Sequence, residues 1–158
     1  MDFKNVFDKY YGEMKDTNAA NLLLLDQSGI KHITDEVFYK IIALKTTDFL
    51  FFISSSTIRR FGESPEISKY IDIPKQDLKK TPYHHIHRMV LEYYRSLIPH
   101  NKQYYLAPFS IKKAPNIYGL IFGSGNLFGM EKFLRTCWKS DKERGEANFD
   151  IDQDKIMP

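Results

Sequence analysis

The apolar residues of this chain fall into short runs and helical repeats that follow one another along the sequence. Four consecutive leucines, 22–25, end at Asp26, and such a short apolar run predicts a strand buried on both faces. Thr34 can cap a helix whose apolar residues then recur at helical spacing. A second apolar run at 48–53 predicts another strand. Residues 21–53 therefore predict a strand–helix–strand unit with parallel strands and a right-handed crossover.

Helices are predicted on both sides of this unit. Closely spaced apolar residues at 6–14 predict a short amino-terminal helix. After the second strand, residues 54–60 predict a polar loop, and the Ser-Pro-Glu sequence at 64–66 predicts the start of a brief helix. Residues 81–98 predict a longer helix that Pro99 ends, and the histidines near its start are expected on a solvated basic face.

The last third of the sequence predicts an antiparallel hairpin followed by a helix. Residues 103–112 alternate in polarity and contain Pro108, which confines this strand to a sheet edge, and residues 118–122 form the returning strand. The glycine-rich stretch 123–129 predicts a tight turn, because too little chain follows it for a dinucleotide-binding unit. A helix is predicted from about 127 to 139. Its expected buried side consists of Phe133, Leu134, Cys137 and Trp138.

Together these elements predict an α/β fold in one domain that covers residues 1–158. The amino-terminal helix occupies 1–19, the sheet with its helices 20–139, and a polar tail 140–158. Of the 158 residues, 42% are hydrophobic and 15% aromatic, which is enough for a buried core.

Charge and cysteine content limit the function only loosely. The net charge of +3, from 23 basic and 20 acidic residues, permits a nucleic-acid partner without requiring one. The single cysteine, Cys137, excludes an internal disulfide, and no apolar run approaches the ~20 residues of a membrane span. Because the first residues resemble neither a signal peptide nor a transit peptide, we expect a cytoplasmic protein with no membrane partner.

Two groups of residues are candidates for a functional site. The first lies where the parallel strands end, the usual place for ligands in such sheets, and comprises 26–29 and 54–57. The second is a basic group near tyrosines, with the composition of a phosphate-contacting surface or of a merely solvated one. Its members are Arg59, Arg60, Lys79, Lys80 and Arg88. We expect no metal site, because the His84 and His87 pair has no Cys or acidic residue at ligand spacing.

Several segments, in the same order along the chain, resemble the carboxyl-terminal half of the three-Cys-motif partner proteins. These segments are 21–31, 47–56, 127–134, 138–139 and 145–149, and the match covers most of 20–152. Members of that family look like class I methyltransferase-type Rossmann folds. They are often encoded beside a three-cysteine, radical-SAM-like protein in phage-related or mobile gene neighbourhoods, and the resemblance implies such a partner here.

The resemblance also implies a position for each strand. The leucine strand would be the fourth strand of a methyltransferase sheet, in the order four, five, seven, six. Asp26, Gln27 and Ser28 would then lie at the catalytic loop of amino-methyltransferases, although Gln27 and Ser28 replace its Pro-Pro pair. The glycine-rich motif that binds S-adenosylmethionine (SAM) in the amino-terminal half is absent. The chain is therefore expected to be half of a Rossmann-like sheet, without a cofactor unless the missing half is supplied.

Three functions remain open as expectations. The first is a non-catalytic interaction module or one subunit of a split methyltransferase-like protein, forming a homodimer or joining the missing half. The leucine strand would be the contact, because no Pro or Lys protects its edge, unless the amino-terminal helix at 6–14 folds over to cover it. The second is a methyltransferase-type enzyme acting on nucleic acid, with Asp26 as a polar contact or base. The third is a nucleic-acid-binding module that uses the basic group.

Overall fold

A four-stranded mixed sheet organises the fold. The computed structural model describes residues 3–26, 33–61, 64–152 and 155–156. The strands of the sheet are β1 (Asn21–Leu25), β2 (Thr47–Ser54), β3 (Tyr105–Lys113) and β4 (Asn116–Ser124). Their order is β1-β2-β4-β3, with β1 parallel to β2 and the other pairs antiparallel. The mixed α/β class and this strand order are confirmed, and β3 with Pro108 lies at an edge as predicted.

Seven α-helices are described around this sheet, together with a 3-10 turn and a small hairpin. The helices are α1 (Phe3–Met14), α2 (Asp35–Ala43), α3 (Ser55–Phe61), α4 (Pro65–Ser68), α5 (Lys75–Lys80), α6 (Ile86–Leu97) and α7 (Leu127–Ser140). The 3-10 turn is Tyr83–His85, and the hairpin pairs β5 (Phe149–Asp150) with β6 (Lys155–Ile156). Among the described helices, none has both the length and the apolar character needed to cross a membrane.

One face of the sheet packs against α2 and α6 and forms the main core. From β2, Phe49, Phe51 and Ile53 point to this face and are at most 1% exposed. Phe38 of α2 contacts both Phe49 and Tyr94 of α6, with ring centroids 6.3 and 5.0 Å apart. These aromatic contacts explain why the short apolar run of β2 is buried completely on this side.

The amino-terminal helix extends the core beside α2. Phe7 and Met14 are buried, and the hydroxyl of Tyr11 donates a hydrogen bond to the carbonyl of Lys40 at 3.3 Å. Lys40 also forms an ion pair with Asp8, with 3.0 Å between nitrogen and oxygen. The predicted short amphipathic helix is thus confirmed, and it lies against α2.

On the opposite face, α7 covers only the half formed by β3 and β4. Phe133 of α7 stacks on Phe122 of β4 with ring centroids 4.6 Å apart. Beyond them no described residue covers the β1 side of this face, and Leu22 and Leu24 are 60% and 71% exposed. The expectation of a strand buried on both faces is therefore wrong, because β1 is an edge strand that turns Leu25 to the core and alternate leucines to solvent.

Two helical segments differ from their predictions. Residues 54–60, predicted as a loop, belong mostly to α3, which starts where the Oγ of Ser54 accepts a hydrogen bond from the amide of Thr57 at 3.3 Å. In α7, the predicted buried residues Leu134 and Trp138 are 39% and 49% exposed. The helix meets the sheet along a narrower face than its apolar residues indicate.

The carboxyl-terminal segment is packed against the sheet, whereas the sequence predicts only a polar tail. Four buried side chains form a second small core: Ile117, Ala147, Phe149 and Ile151. The amide of Ser110 donates to the carbonyl of Glu146 at 2.7 Å, and the amide of Asn148 donates to the carbonyl of Ser110 at 3.1 Å. These bonds add a parallel bridge to the outer edge of β3.

The packing of the core requires a residue without a side chain at Gly123, the register partner of Phe49. A Cβ at Gly123 would lie 2.1 Å from the Phe49 ring, whereas a Cβ at Gly12 in α1 would meet nothing within 4 Å. We therefore expect Gly123→Ala to lower the free energy of unfolding by about 2 kcal/mol or more. Gly12→Ala should raise it by roughly 0.5–1 kcal/mol through helix propensity. Urea denaturation of both variants measures this, and an unchanged stability of Gly123→Ala would contradict the packing.

Candidate functional site

The carboxyl ends of the two parallel strands are the first candidate site. Asp26 follows β1 directly and is exposed, while Gln27 and Ser28 lie outside the described residues. At the end of β2, the Oγ of Ser54 accepts hydrogen bonds from both the amide and the hydroxyl of Thr57. The polar residues after β2 therefore stabilise the start of α3, and Asp26 is the described acidic residue at the end of β1.

The glycines of the turn between β4 and α7 lie close to other side chains of the protein. A Cβ at Gly123 would collide with the Phe49 ring, and one at Gly129 would lie 3.0 Å from the Asp48 carboxylate. These glycines accommodate side chains of the protein itself. Asn126 caps α7 by accepting a hydrogen bond from the amide of Phe128 at 2.8 Å. The turn is thus the tight connection that was predicted.

Two grooves lie on either side of Pro82, and they divide the predicted basic group. The first, called here the arginine groove, has a volume of about 490 Å³. Its lining residues are Ser56, Arg59, Arg60, Pro82, Tyr83, Pro115 and Asn116. The second, called here the mixed-charge groove, has a volume of about 660 Å³. Its ionisable residues besides Tyr93 are Asp72, Asp77, Lys80, His85, Arg88 and Glu92. Lys79 lines neither groove.

Arg59 is held in place by backbone carbonyl groups. Its Nη1 donates a hydrogen bond to the carbonyl of Leu78 at 2.8 Å and another to the carbonyl of Thr81. Both acceptors are neutral carbonyl groups. They fix the position of the guanidinium without compensating its positive charge. Arg59 thereby ties α3 to the connection between α5 and the 3-10 turn.

Arg88 is instead bound by a carboxylate from the carboxyl-terminal segment. Its Nε and Nη2 donate to the two oxygens of Glu146 at 2.5 and 2.8 Å. His87, which is fully buried, has its Nε2 at 3.2 Å from the same carboxylate. The prediction that the histidines lie on a solvated basic helix face is therefore wrong for His87. Glu146 neutralises much of the charge that Arg88 was predicted to offer to phosphate.

The loop before Glu146 is organised by Asp141, a residue that the sequence did not single out. Asp141 is 2% exposed, and its carboxylate accepts hydrogen bonds from four backbone amides. The donors belong to Glu143, Arg144, Glu146 and Ala147. This loop brings Glu146 to α6 across 58 residues of sequence. The described residues contain no group of three or more His, Cys, Asp or Glu arranged to hold a metal ion.

The protonation states of this cluster follow from burial and charge. Burial alone would raise the pKa of Glu146, but hydrogen bonds from His87 and Arg88 and the positive charge of Arg88 outweigh it and lower that pKa to about 2. Burial lowers the pKa of His87, although the Glu146 carboxylate opposes this. We infer an ionised Glu146 and a neutral His87 that donates through its Nε2–H.

A different kind of site is the uncovered edge of β1. The amide of Asn21 donates to the carbonyl of Thr46 at 2.9 Å, and the register places Leu23 opposite Phe49. Because backbone groups alternate along a strand, the amides of Leu22 and Leu24 point away from β2. Within the described part of the chain, no strand pairs with this outer edge.

No protein-family model, curated protein or solved structure matches this chain. The described residues form a mixed α/β protein in which no described strand pairs with the outer edge of β1 and in which charged residues line the two grooves beside Pro82. The resemblance to the three-Cys-motif partner proteins stays a prediction.

The cluster around Glu146 predicts how stability depends on pH. Glu146 has a folded-state pKa near 2 against an ordinary value of 4.5, so its contribution is present above pH 4.5 and is lost as the pH falls toward 2. His87, whose pKa is lowered by folding, adds a loss that begins below about pH 6.5, because the unfolded chain takes up the proton first.

We therefore expect Glu146→Gln to lower the free energy of unfolding at pH 7 by about 2 kcal/mol and to flatten its fall between pH 4.5 and 2. Glu131→Gln is the matched control, because Glu131 forms an exposed pair with Arg135 and its loss should cost at most about 1 kcal/mol. Urea denaturation at pH 7, 5.5, 4 and 3 measures both effects. Equal behaviour of the two variants would contradict the assigned ion cluster.

Proposed function

We propose that this chain is a non-catalytic interaction module that acts as one subunit of a split methyltransferase-like protein. Its contact would be the outer edge of β1, to which a strand of the partner chain adds. The observation that carries the proposal is the apolar outer edge of β1, which pairs with no described strand and where Leu22 and Leu24 are 60% and 71% exposed. Exposed apolar strand edges of this kind are places where another chain adds a strand.

The backbone groups and the residue types of the β1 edge support the addition of a strand from another chain. The outward backbone amides of Leu22 and Leu24 belong to the same residues whose side chains are exposed on the sheet face. Neither Pro nor Lys lies between Asn21 and Asp26, although such residues commonly protect edges. By contrast, the edge strand at the other side of the sheet contains Pro108 and is bridged at Ser110 by the carboxyl-terminal segment.

The sheet face next to this edge supports an apolar partner surface. Leu50 and Phe52 of β2 point to the same face as the exposed leucines, because Leu24 is the register partner of Leu50. Both are only half-buried, since α7 covers the β3 and β4 side. A partner that adds a strand to β1 and a helix or loop above it would bury this apolar area.

The resemblance to the three-Cys-motif partner proteins supports a particular occupant. In that fold the strand corresponding to β1 has a further strand beside it, which belongs to the amino-terminal half. We propose that a separate chain carrying this half is the partner, and that SAM binding belongs to that chain. A second copy of this protein, the three-cysteine radical-SAM-like protein and an assembled enzyme that uses Asp26 on nucleic acid are the other outcomes to be distinguished.

Leu24→Lys tests the proposal with little effect on the isolated fold, since this side chain is already 71% exposed. We expect it to weaken association at the edge by at least tenfold, because it places a charge in the buried contact. Tyr39→Lys is the control, as Tyr39 is a 44% exposed aromatic residue on α2.

Light scattering at protein concentrations from about 1 to 100 μM measures self-association. Edge pairing would be visible in this range. Co-purification with the product of the adjacent upstream reading frame measures the two-chain complex. A complex of either kind that Leu24→Lys dissociates and Tyr39→Lys does not would support the edge. A chain that stays monomeric and forms no complex, or an equal effect of both variants, would contradict it.

A further inference from the structure

We propose that the arginine groove binds the phosphate group of a nucleotide unit, either as a mononucleotide or within a single-stranded nucleic acid. This site is separate from the β1 edge and does not depend on the proposed partner. The inference rests on the charges that line the groove, on how they are held, and on the position of the groove in the sheet.

Among the described residues, no carboxylate lines this groove to compensate its positive charge. The residues that line it include two arginines and no carboxylate. Arg59 is bonded only to the carbonyls of Leu78 and Thr81 through its Nη1, which leaves its Nε and Nη2 without a described acceptor. Arg60 is exposed and has no hydrogen-bond or ion-pair partner among the described residues. Two guanidinium groups with vacant N–H donors are suited to bind a phosphate through paired hydrogen bonds.

The neighbouring mixed-charge groove shows the contrast. There Arg88 is paired with Glu146, and Asp72, Asp77 and Glu92 also line the walls. A phosphate would be repelled by these carboxylates at short range. The basic group recognised in the sequence is therefore divided, and Arg59 and Arg60 form the half that an anion can use.

Size and position are also suitable for a small phosphate ligand. A volume of about 490 Å³ lies within the usual range of small-molecule sites. Ser56, Tyr83 and Asn116 add hydroxyl and amide groups beside the arginines, and Tyr83 adds an aromatic ring. Ser56 follows the carboxyl end of β2, where ligands bind in open α/β sheets. Lys113, the register partner of Asn116, adds a further positive charge at the end of the hairpin.

The test uses fluorescence anisotropy of the full chain with a labelled oligothymidylate of about 12 nucleotides, starting near 50 mM salt, where phosphate contacts are strong. We expect Arg60→Gln to weaken binding about tenfold and to reduce the log–log salt slope by about 0.7. Asn116→Asp, which places a negative charge on the exposed groove wall, should weaken it as well. Arg135→Gln is the control, because it removes the same charge from an exposed position on α7.

Competition with unlabelled dTMP and with inorganic phosphate identifies the source of the phosphate. Displacement by dTMP at an equal nucleotide concentration assigns the groove to a mononucleotide, whereas displacement only by oligothymidylate assigns it to a polymer. Leu24→Lys should leave all of these affinities unchanged, which separates this site from the β1 edge. The proposal is overturned if neither oligothymidylate nor dTMP binds near 50 mM salt, or if Arg60→Gln and Arg135→Gln behave alike.

Discussion

Each backbone amide and carbonyl of a strand needs a hydrogen-bond partner, and among the described residues β1 has strand partners on one side only. Its inner edge pairs in register with β2 from Asn21 to Leu25, while its outer edge meets no described strand. The other strands differ in this respect. β2 and β4 lie in the middle of the sheet, and β3 has its outer edge bridged by the carboxyl-terminal segment.

The same asymmetry separates the two faces of the sheet. The core face is closed by α1, α2 and α6, and there β2 buries three large side chains almost completely. On the other face α7 reaches only as far as Phe122 and Leu50. Leu134 and Trp138 of α7 are also partly exposed, and Trp138 lies against Gly145 in the loop that leads to the outer edge of β3. A fold with its own complete core can therefore still present a substantial surface for another chain.

Those parts of the fold that depend on local sequence could be predicted. Thr34 caps α2 and Pro108 marks an edge strand, because each of these effects acts within a few residues. Burial was less predictable, since it depends on which elements meet. The four leucines are consistent with an interior strand that is covered on both faces. Only the strand order shows that Leu22 and Leu24 lie at the edge of the sheet.

The candidate sites show the same difference between local and distant contacts. The sequence identified Arg59, Arg60 and Arg88 as basic residues but could not show that, of these three, Glu146 binds Arg88. Asp141 and Glu146 had no local signal, because their roles depend on a loop that returns to α6. The position of Asp26 after a strand was predictable, whereas a chemical role for it stays a prediction.

Hydrogen exchange of the β1 amides, resolved residue by residue by NMR in a dilute monomeric sample, tests the central interpretation most directly. An edge strand paired only with β2 should protect the amides of Leu23 and Leu25 and leave those of Leu22 and Leu24 to exchange rapidly. Addition of the partner chain should then slow exchange at Leu22 and Leu24 selectively. Strong protection of Leu22 and Leu24 in the isolated monomer would show that the edge is already covered and would contradict the proposed role of β1.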